Sequence, residues 1–283
     1  MKSFNFRDMK HLNKNSFSHG IIFHHFHDNK KHPKSQGSLS KTDLIKLIKF
    51  VGRKNILNAD EYYDKFKNNL LKKNHICLTF DDGIKSQFDI AAPILDKFKI
   101  KAFFFIFTSS FTKKKDLLEL YRYFRNNFFK DIDDFYDLFF KILNSDLDSF
   151  FIKIKNKIQM WKKQHSYFSL NDIRFRLVRD DYLTEDEYNI IMQRMFLLKN
   201  FKPEQYLKNL YMSKENISFL HKKKHLIGLH SHSHNTDIKR LSFNDQLKEY
   251  KKCKSTLGKI LKNNKVIKTM SHPCGSYNMN TFK

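Results

Sequence analysis

The chain has 283 residues, 40% of them hydrophobic and 15% aromatic, and a formal net charge of +25. This apolar content excludes a disordered chain and is sufficient for a folded core. The charge raises the question of a nucleic-acid partner, but 45 of the 54 basic residues are Lys and stand in scattered pairs and triplets. Lys is poor at bidentate phosphate recognition, and the aromatic interleaving of a single-strand groove is missing. We therefore predict no nucleic-acid partner, interpret the charge chiefly as a compositional bias, and regard an acidic glycan as a compatible partner.

Two further properties of the composition concern the compartment. The cysteines Cys77, Cys253 and Cys274 fit neither a disulfide framework nor a thiolate zinc site. The N-terminal residues are charged throughout and lack the apolar centre of a signal peptide, and no window approaches the run of about 18 apolar residues of a membrane span. These features predict a cytoplasmic protein without a membrane span.

The first third of the chain has the pattern of an α/β fold. Residues 20–25 form a short apolar run that predicts a buried strand, and Ser40 is placed to cap a helix. Residues 76–80 and 102–107 predict two more buried strands, on either side of a helix over 86–98. Two nearly continuous apolar strands around a helix are typical of a parallel pair covered on both faces.

The middle of the chain has a different pattern. Residues 112–215 contain amphipathic segments such as 117–129 and 133–143, and a capping box at residues 184–187 begins another helix. About a hundred helical residues between strands indicate an insertion or lid rather than part of the scaffold.

The α/β pattern then resumes. Ser213 is placed to begin a helix, residues 226–229 predict a short strand, and a long helix is expected from Ser242 to about residue 262. We therefore predict three segments: 1–111 as the first α/β part, 112–215 as a helical insertion, and 216–283 as the second α/β part.

Two polar clusters follow predicted strands, at the ends where reacting groups collect in parallel α/β proteins. Asp81 and Asp82 follow the strand at 76–80, and His230 and His234 follow the strand at 226–229. Each cluster alone has an ordinary explanation, a helix cap for the aspartates and surface exposure for the histidines. Together they offer one oxygen and two nitrogen ligands and leave positions open for water and substrate, as in a catalytic metal site.

Three motifs resemble those of the polysaccharide deacetylases, a family of carbohydrate esterases that includes chitin and peptidoglycan deacetylases. Thr79–Gly83 (TFDDG) resembles the first motif, His230–His234 (HSHSH) the second, and His272–Tyr277 (HPCGSY) the third. The resemblance implies that Asp81 is the catalytic base, and that Asp82 and the outer two histidines bind the metal. It also implies a distorted (β/α) barrel with a large helical insertion.

The same resemblance implies the function. A metal-dependent hydrolase of carbon–nitrogen bonds would remove N-acetyl groups from a sugar or polysaccharide precursor. The expected metal is zinc, with cobalt or nickel as alternatives, and the expected partner is an N-acetylated carbohydrate. The backbone N–H of Cys274 would stabilise the oxyanion of the tetrahedral intermediate.

The chain departs from the family pattern at three places. Ser271 stands where the family has an Arg that holds the base, and Cys274 stands where it has a Tyr. The chain ends soon after the third motif, so we expect a C-terminally truncated member. These departures leave two alternative functions open, a catalytically impaired deacetylase-like protein and a basic polyanion-binding protein.

Three other histidines bear on the site. His24 and His25 are the last two residues of the first predicted strand, and they either line the site or are ordinary core or loop histidines. His232 lies between the two predicted ligands, and we interpret it as structural.

Overall fold

The computed structural model describes residues 18–112, 117–164, 166 and 168–283, with six strands and twelve α-helices in those ranges. The strands are β1 (His19–Phe23), β2 (Phe26–His27), β3 (Leu39–Ser40), β4 (Ile76–Asp81), β5 (Phe103–Ile106) and β6 (Leu226–Leu229). The helices are α1 (Lys41–Val51), α2 (Ala59–Lys67), α3 (Ala92–Lys97), α4 (Leu118–Asn127), α5 (Ile132–Leu143), α6 (Asp148–Lys153), α7 (Lys155–Gln164), α8 (Leu170–Leu177), α9 (Glu185–Leu198), α10 (Glu204–Leu207), α11 (Lys214–Lys222) and α12 (Phe243–Leu261).

The main sheet has four parallel strands in the order β1-β4-β5-β6. Every residue of β4 is buried, as expected for a central strand covered on both faces. The predicted α/β class is confirmed, and the open parallel sheet is consistent with a distorted (β/α) barrel. A second, two-stranded parallel sheet pairs β2 with β3.

Stacked phenylalanine rings run across the centre of the sheet. The ring of Phe80 on β4 lies 5.1 Å from that of Phe23 on β1 and 4.8 Å from that of Phe104 on β5, centroid to centroid. Leu44 and Ile48 of α1 belong to the same fully buried core. Burial of large apolar side chains is the main favourable term in folding, and this core fixes the register of the strands that carry the polar clusters.

The predicted helix starts are found where capping side chains are available. Ser40, Thr184, Ser213 and Ser242 each accept a hydrogen bond from the backbone N–H three residues further on. Each bond satisfies one N–H that the first turn of the helix leaves without an intrahelical partner.

Two predicted elements differ from the structure. The strand predicted over 20–25 ends at Phe23, and the chain starts a second short strand at Phe26. The helix predicted over 86–98 is a π-helical turn over Gln87–Ala91 followed by α3. Pro93 occupies the first turn of α3 and has no N–H to donate, so a continuous α-helical ladder through this point is interrupted.

Helices α4 to α10 belong to a compact unit, Leu117–Leu207, and the described residues before and after it form the other unit. Aromatic rings hold the helical unit together, with 4.7 Å between the centroids of Phe124 and Phe196 and 4.9 Å between those of Phe139 and Phe175. Its interpretation as an insertion stays a prediction. Among the residues described, no helix is both long enough and apolar enough to cross a bilayer.

The sheet allows no side chain at Gly228 of β6, two residues before His230. A Cβ atom there would lie 2.6 Å from the ring of Phe105 and 2.7 Å from Oγ1 of Thr269. We expect Gly228→Ala to lower the free energy of unfolding by about 1–3 kcal/mol, measured by chemical denaturation, because overpacking forces neighbours apart. Gly20→Ala on the edge strand β1 is the control, since its nearest contact is 3.2 Å. Equal stabilities of the two variants would contradict this packing.

Candidate metal centre

Asp82, His230 and His234 converge at one buried point. Ligand atoms of the three side chains lie within 4.8 Å of one another, and all three residues are buried. The Nε2 atoms of His230 and His234 lie 3.2 and 3.0 Å from the same oxygen of Asp82, Oδ1. Two imidazoles and one carboxylate form a donor set that suits zinc and related divalent metals.

The sheet explains why residues 148 positions apart meet. Asp82 follows the last residue of β4, and His230 follows the last residue of β6. Strand β5 lies between them and pairs with both in parallel, so the two strand ends reach the same edge of the sheet. The predicted placement of the two clusters at neighbouring strand ends is therefore found.

The backbone at the ligands is unusual for non-glycine residues. Asp82, Ser231 and His234 have φ angles of 76°, 59° and 55°, in the left-handed region. Such conformations are uncommon outside glycine and persist only where surrounding contacts impose them. Within the HSHSH segment, the Ser231 hydroxyl accepts a hydrogen bond from the N–H of His234 at 3.0 Å, which is one such contact.

The tautomer of His230 follows from the hydrogen bond that its Nδ1 makes. Nδ1 lies 3.0 Å from the backbone oxygen of Ser271, and a carbonyl oxygen only accepts, so Nδ1 is the donor. In the neutral imidazole, Nε2 then presents its lone pair towards the Asp82 carboxylate. Two lone pairs face each other there, and a shared cation converts this repulsion into two favourable bonds.

The two adjacent carboxyls are shifted in opposite directions. Burial opposes the ionisation of Asp82, but the charges and hydrogen bonds of His234 and His230 outweigh it and hold the pKa of Asp82 well below its usual range. Burial raises the pKa of Asp81, and the Asp82 charge adds to this effect against the opposing influence of His230. A divalent cation on Asp82 would neutralise that neighbouring charge and favour an ionised Asp81.

Ser271 contacts both the predicted base and a predicted ligand. Its hydroxyl donates to Oδ2 of Asp81 at 3.1 Å, while its backbone oxygen accepts from the ring of His230. The family Arg that the resemblance places at this position is therefore replaced by a shorter donor that still reaches Asp81. The sequence identified the position but not this contact.

Glu249 is an anchor that the sequence analysis missed. One of its oxygens, Oε2, accepts from the backbone N–H groups of His232 and Ser233 at 3.0 and 2.7 Å and from the Ser233 hydroxyl at 3.0 Å. Glu249 lies on α12, so a carboxylate from a distant helix holds the loop between the two histidines that are predicted as ligands. Charge-assisted bonds of this kind are stronger than those between neutral groups.

His232 supports the loop from its other side. Its Nδ1 lies 2.8 Å from the hydroxyl of Thr108, and its backbone oxygen accepts from the N–H groups of Thr108 and Ser109. Burial, followed by the charge of Lys252, lowers the pKa of His232. These contacts agree with a structural role for the central histidine of the motif.

The remaining candidates are less buried than Asp82, His230 and His234. His24 is 46% exposed in its side chain, and its Nε2 lies 4.0 Å from Oδ2 of Asp82. The ring of His25 stacks on that of His24, with 6.2 Å between the centroids. Cys274 is exposed in a short turn over Pro273–Gly275 and has a φ of 52°. His24, the residue that follows β1, therefore lies near Asp82. The predicted role of Cys274 in stabilising the oxyanion stays a prediction.

Comparison with known proteins gives a family for part of the chain. The family model described as polysaccharide deacetylase matches residues 68–125, which include β4, Asp81 and Asp82. The chain carries a polysaccharide deacetylase segment. Over these residues the match confirms the predicted family, and it supports the enzyme class, a hydrolase of carbon–nitrogen bonds. No curated protein matches the chain.

Two solved deacetylase structures superpose on the chain. A de-N-acetylase from Aggregatibacter actinomycetemcomitans superposes with a TM-score of 0.51 and 10% identity, covering 94% of this chain and 82% of that one. Streptococcus pyogenes deacetylase PplD, solved with acetate, has a TM-score of 0.49 and 16% identity over 95% of this chain and 77% of its own. The first of these likenesses confirms the predicted deacetylase-type fold.

The Glu249 anchor gives a direct test of how the metal ligands are held. We expect Glu249→Ala to weaken zinc affinity roughly 10- to 100-fold, measured by competition with a chelator, because loss of supporting contacts frees the ligand loop. Thr256→Ala on the same helix is the control, since its hydroxyl donates only to the backbone oxygen of Lys252. Equal zinc affinities of Glu249→Ala and the control would show that the loop holds itself.

Proposed function

We propose that this chain is a metal-dependent carbohydrate N-deacetylase, which hydrolyses the acetamide of an N-acetylated sugar or polysaccharide precursor to acetate and a free amine. The observation that carries the proposal is the buried convergence of Asp82, His230 and His234 beside a second carboxyl, Asp81. The polysaccharide deacetylase match over 68–125 supports the same reaction class.

The proposed metal ligands are Asp82, His230 and His234. Zinc fits two imidazoles and one carboxylate, and cobalt or nickel would accept the same donors. A divalent cation held there would act as a Lewis acid on the acetamide oxygen and lower the pKa of water. Because Nδ1 of His230 is already committed to Ser271, Nε2 is the nitrogen left to bind the cation.

Asp81 is the proposed base. Its Oδ1 is buried and has no hydrogen-bond partner among the described residues, while Oδ2 is held by the Ser271 hydroxyl. Oδ1 is therefore free to accept the proton of the attacking water, and Oδ2 is fixed in orientation. The short side chain of Ser271 thereby orients Asp81, a role that the resemblance assigns to an Arg in the family.

Two further residues complete the proposed site. The backbone N–H of Cys274 would donate to the oxyanion that forms on the acetamide oxygen. His24 lies at the exposed rim within 4.0 Å of Asp82, and we propose that its ring contacts the bound sugar. The leaving amine nitrogen would gain the proton that Asp81 accepted from the attacking water.

A pair of variants tests the proposed roles. Asp81→Asn should reduce acetate release from N-acetylglucosamine oligosaccharides by about 10²- to 10⁴-fold while zinc content stays near that of the wild type, because Asp81 is assigned as base and not as ligand. His230→Ala should remove both zinc and activity. His221→Ala, on α11, is the matched control and should change neither.

Three results would contradict the assignment. Equal acetate release by wild type and Asp81→Asn would mean that Asp81 is not the base. Tight zinc binding without acetate release by the wild type would favour the catalytically impaired alternative. Full zinc content in His230→Ala would remove His230 from the ligand set.

A further inference from the structure

The positive charge of the chain is divided unequally between its two units. Residues 117–207 contain 15 Lys and Arg against 14 Asp and Glu, a net charge of +1. The unit that carries the metal centre contains 39 Lys and Arg against 15 Asp and Glu, a net charge of +24. A compositional bias of the source acts on both units, so the bias alone does not account for a difference of this size.

Helix α12 carries part of this charge beside the site. Lys251, Lys252 and Lys254 are exposed, and no carboxylate of the described ranges pairs with them. The two acidic residues of the helix are engaged elsewhere, Asp245 with Lys248 and with the Ser242 hydroxyl, and Glu249 with the HSHSH loop. We call Lys251, Lys252 and Lys254 the α12 lysine row.

The same helix touches two of the three motifs. Glu249 binds the backbone of the second motif, and the hydroxyl of Tyr250 lies 2.8 Å from Nδ1 of His272 in the third. Residues three and four positions apart are neighbours on a helix surface. Lys252 follows Glu249 by three positions and Lys254 follows Tyr250 by four, so both lysines are neighbours on the helix surface of the residues that contact the motifs.

We propose that the α12 lysine row binds the anionic groups of an acidic N-acetylated glycan and so guides it to the metal centre. The proposal rests on the proposed function and names its substrate class. A row of positive charge beside a cleft raises the local concentration of anions and speeds their association. Lys is a point charge that tolerates varied geometry, which suits the repeated carboxylates of a flexible glycan.

A glycan fits this row better than a nucleic acid does. Single-strand binding combines a basic groove with aromatic side chains on which bases stack. The aromatic residues of α12 are Phe243 at its start and Tyr250, and Tyr250 is engaged with His272. No ladder of aromatic rings alternates with the three lysines.

The experiment compares two hexasaccharides of one linkage on the zinc-loaded full chain. One alternates N-acetylglucosamine with glucuronic acid, and the other is the same compound with its carboxyls reduced to alcohols. We expect the carboxylate form to bind on the order of ten-fold more tightly at low salt, because each exposed ion pair contributes little alone and several act together. The difference should shrink as salt is raised towards 1 M.

A matched pair of triple variants assigns the effect to the row. Lys251→Gln, Lys252→Gln and Lys254→Gln together should remove most of the difference in affinity between the two hexasaccharides. The control changes three exposed lysines of α7 in the helical unit, Lys155, Lys162 and Lys163, to Gln, with the same loss of charge. The control should bind both compounds as the wild type does.

Equal affinities for the two hexasaccharides, or equal losses in both triple variants, would overturn the proposal. Single-stranded DNA of matched charge is a further comparison. If it binds more tightly than the carboxylate hexasaccharide and loses affinity in the α12 variant, the lysine row binds nucleic acid and the proposal is overturned. All of these outcomes are binding affinities. Acetate release from neutral oligosaccharides tests the proposed function separately, so a lack of deacetylase activity is distinguishable from a failure of the lysine-row proposal.

Discussion

The arrangement of the site depends on one electrostatic constraint. At a buried point, the Nε2 atoms of His230 and His234 both lie within 3.2 Å of a single oxygen of Asp82. Electron-rich atoms brought this close, away from water, repel each other unless protons or a cation lie between them. A divalent metal bound between the three side chains would remove this repulsion. The left-handed backbone at Asp82 and His234 is then the cost of holding the donor atoms in place for the metal.

The surrounding structure restrains this arrangement from several directions. The parallel sheet brings the ends of β4 and β6 to one edge, and the buried phenylalanine core fixes their register. Glu249 holds the loop between the histidines, and Ser271 links the ring of His230 to the carboxyl of Asp81. The proposed base and the proposed ligands are thus positioned through a shared set of contacts, as preorganised catalysis requires.

The sequence predicted those elements and site residues that have a local sequence pattern. Buried strands, capping serines and the polar residues at strand ends each have a signature within a few residues, and they identified Asp82, His230 and His234 as neighbours. Glu249 could not be found this way, because its partners are 16 and 17 residues away and the packing of α12 alone decides where its carboxylate points. The only hint in the sequence is that Glu249 stands among lysines on a helix that has one other acidic residue, Asp245. The left-handed backbone at Asp82 likewise depends on the turn as a whole, although the following glycine indicates a turn.

X-ray absorption at the zinc edge of the zinc-loaded protein tests the proposed ligand set most directly. We expect one zinc per chain, bound by two imidazole nitrogens and one carboxylate oxygen at about 2.0–2.2 Å. Loss of zinc from His234→Ala would assign that ligand. A wild-type spectrum with fewer than two imidazoles, or with sulfur at about 2.3 Å from a cysteine, would contradict this ligand set.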